Sequence, residues 1–143
     1  MRDSWQLGTK HFQLGNEKFV KAVEGDLVQR VKVGLGLGDN VEVRAELYKL
    51  LLYKTGGHFK PHRDTEKAEG MFGTLIVQLP SEFTGGHLVV GHSGKNEVIE
   101  MAQCGSDCNC LYAAFYSDCE HQLKEVTSGH RLALVYPDDN FEC

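Results

Sequence analysis

One helical pattern followed by a series of short β-type runs constrains the fold of this 143-residue chain most strongly. Residues 17–33 carry apolar side chains at the three- and four-residue spacing of an amphipathic helix, and Asn16 stands at its N-cap position. Beyond residue 40 the pattern changes to β-type runs separated by turns rich in glycine, proline and serine. The predicted strands are residues 41–53, 73–79, 87–92, 97–101, 111–116, 122–126 and 131–136.

This order predicts a mainly β fold with one packing helix (α+β), because no helices alternate with the strands as a parallel α/β sheet requires. We expect a single domain over residues 1–143, with the helix at about 16–33 and the β core at about 41–136. Periodicity alone leaves an immunoglobulin-like sandwich and a jelly roll as alternatives.

The charge balance narrows the functional classes. The chain has 15 Lys and Arg against 20 Asp and Glu, a formal charge of −5, and no basic block, which disfavours a nucleic-acid surface. No segment has the roughly 20 apolar residues of a membrane span, and the start has no signal-peptide pattern. Five cysteines without such a signal predict thiols and a cytoplasmic or nuclear protein. A protein, peptide or small-molecule substrate is therefore favoured.

His62 and Asp64 are candidate metal ligands. In an extended strand both side chains leave the same face and can reach one ion. Pro61 excludes a helix here and with it a helical zinc pair of His58 and His62. Two imidazoles and one carboxylate can bind one face of non-haem Fe(II). The third ligand must come from a distant strand, because three consecutive positions cannot wrap one face of an ion. The candidates for it are His87, His92, His121 and His130.

The residues around this pair resemble a known family. The segment Tyr53-Lys54-Thr55-Gly56-Gly57-His58-Phe59-Lys60-Pro61-His62-Arg63-Asp64 resembles the Tyr-x-x-Gly-x-x-aromatic-x-x-His-x-Asp segment of prolyl-hydroxylase-like 2-oxoglutarate- and Fe(II)-dependent oxygenases. Residues 84–90 resemble the Gly-Gly-x-Leu turn and strand of the same family. The resemblance implies a double-stranded β-helix, which is a cupin-like jelly roll whose two sheets enclose the metal. It also implies Fe(II) as cofactor, with 2-oxoglutarate and O2 as cosubstrates.

The resemblance extends to a distal histidine and an arginine. In this family the distal ligand histidine opens a strand, and a Lys or Arg about ten residues later holds the far carboxylate of 2-oxoglutarate. His121 and Arg131 match this pattern. The resemblance thus implies that His62, Asp64 and His121 are the metal ligands and catalytic residues, and that Arg131 binds the cosubstrate.

Three further residues are candidates for cosubstrate binding. Tyr53 opens the motif, and its counterpart in related enzymes often hydrogen-bonds the cosubstrate. Thr74 and Gln78 lie on one face of the predicted strand 73–79 and offer polar lining. Many relatives carry a tyrosine in this strand, and here none is present.

The proposed site requires a particular arrangement of its strands. If 122–126 and 131–136 were a simple hairpin, His121 and Arg131 would project to opposite faces. We therefore predict that these two strands belong to opposing sheets. Arg63, between the two ligands His62 and Asp64, is expected to face outward.

The expected activity is hydroxylation of a C–H bond, on a protein or peptide residue such as proline, with succinate and CO2 as coproducts. Alternatives are an oxygenase acting on a small metabolite, a non-catalytic jelly roll that binds metal or 2-oxoglutarate as a sensor or interaction module, and a cupin-like metal enzyme without 2-oxoglutarate. Residues 65–71 and 104–110 are expected to frame the substrate entrance. The spacing of Cys104, Cys108 and Cys110 does not match a structural zinc site.

Overall fold

The computed structural model of the protein describes residues 4–37, 42–45, 47–63, 71–92, 94–100 and 111–141. Asp64, nearly all of the 65–71 segment and the cysteine-containing 104–110 segment lie outside these residues.

The helical region begins as predicted and contains one irregular turn. It consists of helix α1 (Glu17–Lys21), a π-helical turn (Ala22–Leu27) and helix α2 (Val28–Gly34). The Asn16 side chain caps α1 by accepting a hydrogen bond from the backbone N–H of Phe19 at 3.1 Å. The wider π turn brings Val23 and Val28, five positions apart, onto one buried face, where Val31 joins them. None of the described helices has the length and apolar character needed to cross a membrane.

Twelve strands lie within the described residues. In chain order they are β1 Ser4–Gly8, β2 Glu42–Ala45, β3 Lys49–Tyr53, β4 Phe59–His62, β5 Met71–Gln78, β6 Phe83–Gly85, β7 Leu88–His92, β8 Lys95–Ile99, β9 Leu111–Tyr116, β10 Glu120–Leu123, β11 Val126–Gly129 and β12 Arg131–Phe141. The large sheet has the order β1-β3-β12-β5-β9, and β2 also pairs with β12. The small sheet has the order β4-β10-β7-β8, and β11 pairs with β6.

The two faces of the large sheet pack against different layers. Its outer face packs against the helical region through Leu75, Val77, Leu134 and Tyr136. Its inner face packs against Leu88 of the small sheet through Ile76, Ala113, Phe115 and Ala133. A second inner cluster joins the large sheet, the small sheet and the β6–β11 pair through Tyr53, Phe83, Leu123 and Val126. Two antiparallel sheets that enclose a core, with a helical layer outside, confirm the predicted mainly β jelly roll.

The predicted strand 122–126 is present as β10 with different bounds: it begins at Glu120 and ends before Lys124. The backbone N–H of Lys124 donates to the His87 carbonyl at 2.8 Å, and that of Gly86 donates to the Glu125 carbonyl at 3.0 Å. These two residues of the chain thus bond to the loop between β6 and β7 instead of continuing the strand. The break allows the chain to leave the small sheet and to start β11 as a separate element.

Several strand boundaries also differ from the prediction. The predicted run 41–53 is two strands, β2 and β3, which flank β12 at different points along its length. Strands β1, β4, β6 and β11 were not predicted. Pro61 lies within β4, where its missing N–H would interrupt a central strand, but β4 is at the edge of the small sheet, where a proline is tolerated.

Candidate metal and cosubstrate site

His62 and His121 lie opposite each other on the neighbouring antiparallel strands β4 and β10. Their ring centroids are 4.4 Å apart. His121 is 4% exposed, whereas His62 lies at the exposed end of β4. The side chains of paired residues leave the same side of a sheet, so the two imidazoles are placed to approach one ion.

Backbone carbonyl groups orient the imidazole rings of both histidines. Nδ1 of His62 is 2.9 Å from the Lys60 carbonyl oxygen, and Nδ1 of His121 is 3.3 Å from the Cys119 carbonyl oxygen. A carbonyl oxygen only accepts hydrogen bonds, so in each ring these contacts favour the tautomer in which Nδ1–H donates. Nε2 is then the nitrogen that carries the lone pair, as in a metal-binding imidazole oriented by a second hydrogen bond. This donor set fits Fe(II).

Two phenylalanine rings that sequence analysis missed frame the histidine pair. The Phe59 centroid lies 5.0 Å from that of His62 and 5.6 Å from that of His121. The Phe115 centroid lies 4.6 Å from that of His121. Phe59 occupies the aromatic position of the motif, which was the available signal for its role. Phe115 belongs to an apolar run whose alternation indicates a buried face but does not identify its neighbour.

Two of the other candidates for a third ligand lie beside carboxylates, and the third is exposed. Nε2 of His87 is 4.0 Å from a carboxylate oxygen of Glu100, and Nε2 of His92 is 3.4 Å from one of Asp118. His130 is exposed between β11 and β12.

Asp64, the predicted carboxylate ligand, is outside the described residues, and the three-ligand set therefore stays a prediction. Among the residues that the structure describes, no group of three or more His, Cys, Asp or Glu is placed to hold a metal ion. Arg63 is exposed, and its Nε donates to the Asp118 carbonyl at 2.9 Å. It thus faces outward, as the proposed register requires.

Arg131 lies on the inner face of the large sheet, opposite the small sheet that carries His121. Strand β10 belongs to the small sheet and β12 to the large sheet, and β11 lies between them in the chain. The two predicted strands are therefore in opposing sheets and do not form a hairpin. The side chain is 2% exposed, and its Cζ is 5.7 Å from the centroid of the Tyr53 ring. Burial lowers the pKa of Arg131 to about 10, and the neighbouring Tyr53 partly opposes this effect. A cation in this position favours an anionic ligand.

The remaining predicted cosubstrate residues share this inner face. Tyr53 is the strand partner of Arg131 across β3 and β12. Gln78 is the partner of Ala133, two positions from Arg131, and Thr74 lies four positions from Gln78 on β5. All three side chains are buried. The structure therefore brings Tyr53, Gln78 and Arg131 into one region, with Thr74 further along the sheet.

The Gly-Gly turn after β6 allows the chain to approach Arg131 closely. Gly85 and Gly86 have φ angles of 74° and 65°, in the left-handed region that favours glycine. A Cβ on Gly86 would lie 3.6 Å from Cδ of Arg131, and one on Gly85 would collide with the Glu125 carbonyl. The sequence predicts a turn here but does not reveal that the turn packs against the arginine.

The fold, the facing imidazoles and the buried arginine are those expected of a non-haem iron oxygenase with an acidic cosubstrate. The chain belongs to the 2OG-Fe(II) oxygenase superfamily, whose family model matches residues 48–136. Fe(II) is the cofactor of this family, and 2-oxoglutarate and O2 are its cosubstrates. No curated protein sequence matches the chain.

Solved structures of the same fold include two prolyl hydroxylases. A prolyl-4-hydroxylase from Pseudomonas putida has a TM-score of 0.66 and 18% identity, over 97% of this chain and 73% of its own. A Trichoplax adhaerens prolyl hydroxylase, solved with a hypoxia inducible factor oxygen degradation domain peptide fragment, has a TM-score of 0.63 and 17% identity, over 97% of this chain and 64% of its own.

An oxidoreductase of the 2OG-Fe(II) oxygenase family from Burkholderia pseudomallei has a TM-score of 0.63 and 17% identity, over 89% of this chain. The match spans 59% of the length of that protein. At these identities the likeness concerns the fold.

Proposed function

We propose that the protein is an Fe(II)- and 2-oxoglutarate-dependent dioxygenase that hydroxylates a C–H bond, on a protein or peptide residue such as proline. In this reaction O2 and 2-oxoglutarate are consumed, one oxygen atom enters the substrate as hydroxyl, and succinate and CO2 are released. The observation that carries the proposal is the placement of His121 opposite His62 with Arg131 buried on the facing sheet.

His62, Asp64 and His121 would hold the iron. When bound, Fe(II) supplies the activation of O2 that a C–H bond requires. The backbone carbonyls at Nδ1 keep both imidazoles oriented, and the rings of Phe59 and Phe115 form an apolar wall beside them.

Arg131 would bind the far carboxylate of 2-oxoglutarate. A guanidinium can hold a carboxylate through two parallel hydrogen bonds, and burial strengthens such a charged pair. Tyr53 and Gln78 lie beside Arg131 on the same face and would contribute a hydroxyl and an amide, while Thr74 would line the sheet further along. A buried guanidinium next to a hydroxyl and an amide is suited to bind a carboxylate ligand.

The preference for a protein or peptide substrate has two supports. The motif around His62 resembles that of prolyl-hydroxylase-like oxygenases, and two solved neighbours of the fold are prolyl hydroxylases. One of these neighbours was solved with a peptide fragment. Hydroxylation of a peptide residue is therefore the first activity to test, before hydroxylation of a small metabolite.

The iron site can be tested without a substrate. Anaerobic addition of Fe(II) and then 2-oxoglutarate should produce a visible charge-transfer band that requires both components. His121→Ala should abolish the band, whereas the control His130→Ala, which removes an exposed imidazole from another part of the chain, should keep it. A wild-type protein without the band, or a band unchanged in His121→Ala, would refute the proposal.

Turnover and substrate class need two further measurements. Succinate release under O2 should depend on Fe(II) and on 2-oxoglutarate. Mass spectrometry of proline-containing peptides after incubation should then show the gain of one oxygen atom. A charge-transfer band without succinate release would instead identify a non-catalytic module that binds the cosubstrate.

A further inference from the structure

The short β6–β11 pair lies at the end of the jelly roll that is remote from the histidine pair. The chain runs from His121 to Val126 alongside the segment that leads from His62 back to Gly57. His121 is opposite His62 at one end, and at the other end the Val126 N–H donates to the Gly57 carbonyl at 3.0 Å. Because Val126 begins β11, the β6–β11 pair covers the core at this remote end.

Arg131 lies at the same end of the molecule. It is the strand partner of Tyr53, and Tyr53 belongs to one buried cluster with Phe83 of β6 and Val126 of β11. Phe83 and Val126 are 5% and 0% exposed, so both side chains fill the interior at this point. The arginine proposed to bind the cosubstrate and the apolar side chains of the β6–β11 pair are therefore neighbours.

Gly86 connects the arginine to these two side chains. A Cβ built on Gly86 would lie 3.6 Å from Cδ of Arg131, and 3.3 Å from a carbon atom of Phe83 and of Val126. The stem of the arginine thus packs on a glycine whose other neighbours are the phenylalanine and the valine. The Gly86 N–H donates to the Glu125 carbonyl at 3.0 Å, which ties this glycine to the residue before β11. We call Phe83, Gly86 and Val126 the arginine floor.

We propose that the arginine floor sets the depth of the Arg131 guanidinium and thereby selects the chain length of the dicarboxylic cosubstrate. The inference rests on the proposed function, in which the cosubstrate extends from the histidine pair to Arg131. Protein interiors are close-packed, so an arginine stem supported by fully buried side chains cannot withdraw to admit an additional methylene group. The floor residues are positioning residues, because they act on the cosubstrate only through Arg131.

Two 2-oxo dicarboxylic acids test the proposal, because 2-oxoadipate is longer than 2-oxoglutarate by one methylene group. Their dissociation constants are measured by calorimetric titration of the anaerobic protein loaded with Fe(II). Wild-type protein should prefer 2-oxoglutarate by about tenfold or more, as expected for one misplaced methylene group in a close-fitting pocket. Val126→Ala shortens a floor side chain and should reduce this preference by about fivefold, because Arg131 gains room to withdraw.

Val28→Ala is the matched control for Val126→Ala. Val28 is also deeply buried, at 2% exposed, but it lies in the cluster between the helical region and the outer face of the large sheet. The control should lower stability in the same way and leave the preference for 2-oxoglutarate unchanged. A wild-type protein without the preference, or a preference that Val126→Ala and Val28→Ala alter equally, would overturn the proposal.

A second variant tests the arginine floor in the opposite direction. Gly86→Ala adds a methyl group that presses on Phe83 and Val126 and contacts Cδ of Arg131. It should increase the preference for 2-oxoglutarate by about threefold, because the floor becomes overpacked. Gly94→Ala is its control: the φ angles of Gly86 and Gly94 are 65° and 80°, but no described atom lies within 4 Å of a Cβ built on Gly94. Equal preferences in the two glycine variants would contradict the role of the floor.

The two proposals fail separately. The charge-transfer band of wild-type protein with Fe(II) and 2-oxoglutarate is recorded in the same samples. Absence of the band refutes the proposed oxygenase site. Its presence together with a preference that neither Val126→Ala nor Gly86→Ala changes refutes only the role of the arginine floor.

Discussion

The two faces of strand β12 have opposite compositions. The outer face carries Leu134 and Tyr136, which pack under the helical region in an apolar cluster. The inner face carries Arg131, which is also buried but lies next to Tyr53 and near Gln78. Adjacent residues of one strand thus serve different layers of the molecule, because successive side chains point to opposite sides.

Burial affects the ionisable groups of both faces by the same mechanism. It lowers the pKa of Arg131 to about 10, and it raises the pKa of Tyr136 to about 12, with the negative charge of Glu24 adding to the second effect. In each case burial favours the neutral form. Neutral tyrosine is the form present at physiological pH, whereas arginine is charged. The inner face therefore holds a group whose burial opposes folding, and the outer face does not.

The largest difference between the faces should appear on replacing Arg131 with methionine. Removal of the buried cation should weaken 2-oxoglutarate binding by about 2–5 kcal/mol, which is about thirtyfold or more in Kd. The free energy of unfolding without ligand should stay constant or rise, since an apolar side chain of similar length replaces a buried charge. Calorimetric titration with 2-oxoglutarate and urea unfolding provide the two values. Wild-type affinity in Arg131→Met would disprove the assignment of the inner face.

Replacement of Leu134 with alanine should lower stability and leave 2-oxoglutarate binding unchanged. The side chain is fully buried in the cluster beneath the helices, so its truncation should lower the free energy of unfolding by about 2–5 kcal/mol. Affinity for 2-oxoglutarate, measured well below the unfolding midpoint, should stay near the wild-type value. A loss below about 1 kcal/mol would show that the outer face is not the stabilising layer.

The pH dependence of stability should have opposite signs for the two faces. The folded-state pKa of Tyr136 is raised, so the unfolded chain loses this proton first and the contribution of Tyr136 to stability falls between about pH 10 and about pH 12. The folded-state pKa of Arg131 is lowered, so the unfolded chain retains its proton longer and the contribution of Arg131 to stability rises above about pH 10.

Urea unfolding on both sides of about pH 10 can separate these two contributions. Between the lower and the higher pH, Tyr136→Phe should lose less stability than wild-type protein, and Arg131→Met should lose more. Identical slopes in the three proteins would mean that burial does not control either group.

The smallest effect is expected at the edge of the outer layer. Asn16→Ala removes the hydrogen bond to Phe19 N–H and should lower the free energy of unfolding by about 1 kcal/mol. Asn16→Asp keeps an acceptor at the cap and should retain most of the stability. Ligand binding should be unaffected by both changes. If Asn16→Asp were as destabilising as Asn16→Ala, the cap would not be the cause.

The motif around His62 and the ten-residue spacing from His121 to Arg131 predicted the family and the fold, and both are confirmed. The roles of the site residues stay a prediction. Tyr53, Thr74 and Gln78 were predicted from alternation and resemblance, and all three are buried on the inner face. The roles of Phe59 and Phe115 were missed. Apolar side chains give the same sequence pattern whether they fill a core or frame a histidine pair.

On its own, the amino-acid sequence determined the local structure. A period of two decides which side chains of β5 and β12 share a face, a cap at Asn16 starts the helix, and glycines permit the turn beside Arg131. Long-range pairing was decided by the folded molecule alone. The register that sets His62 opposite His121, and the choice of β3 and β5 as the neighbours of β12, depend on backbone hydrogen bonds between segments far apart in sequence. No local pattern encodes such partners, because every strand offers the same N–H and C=O groups to any neighbour.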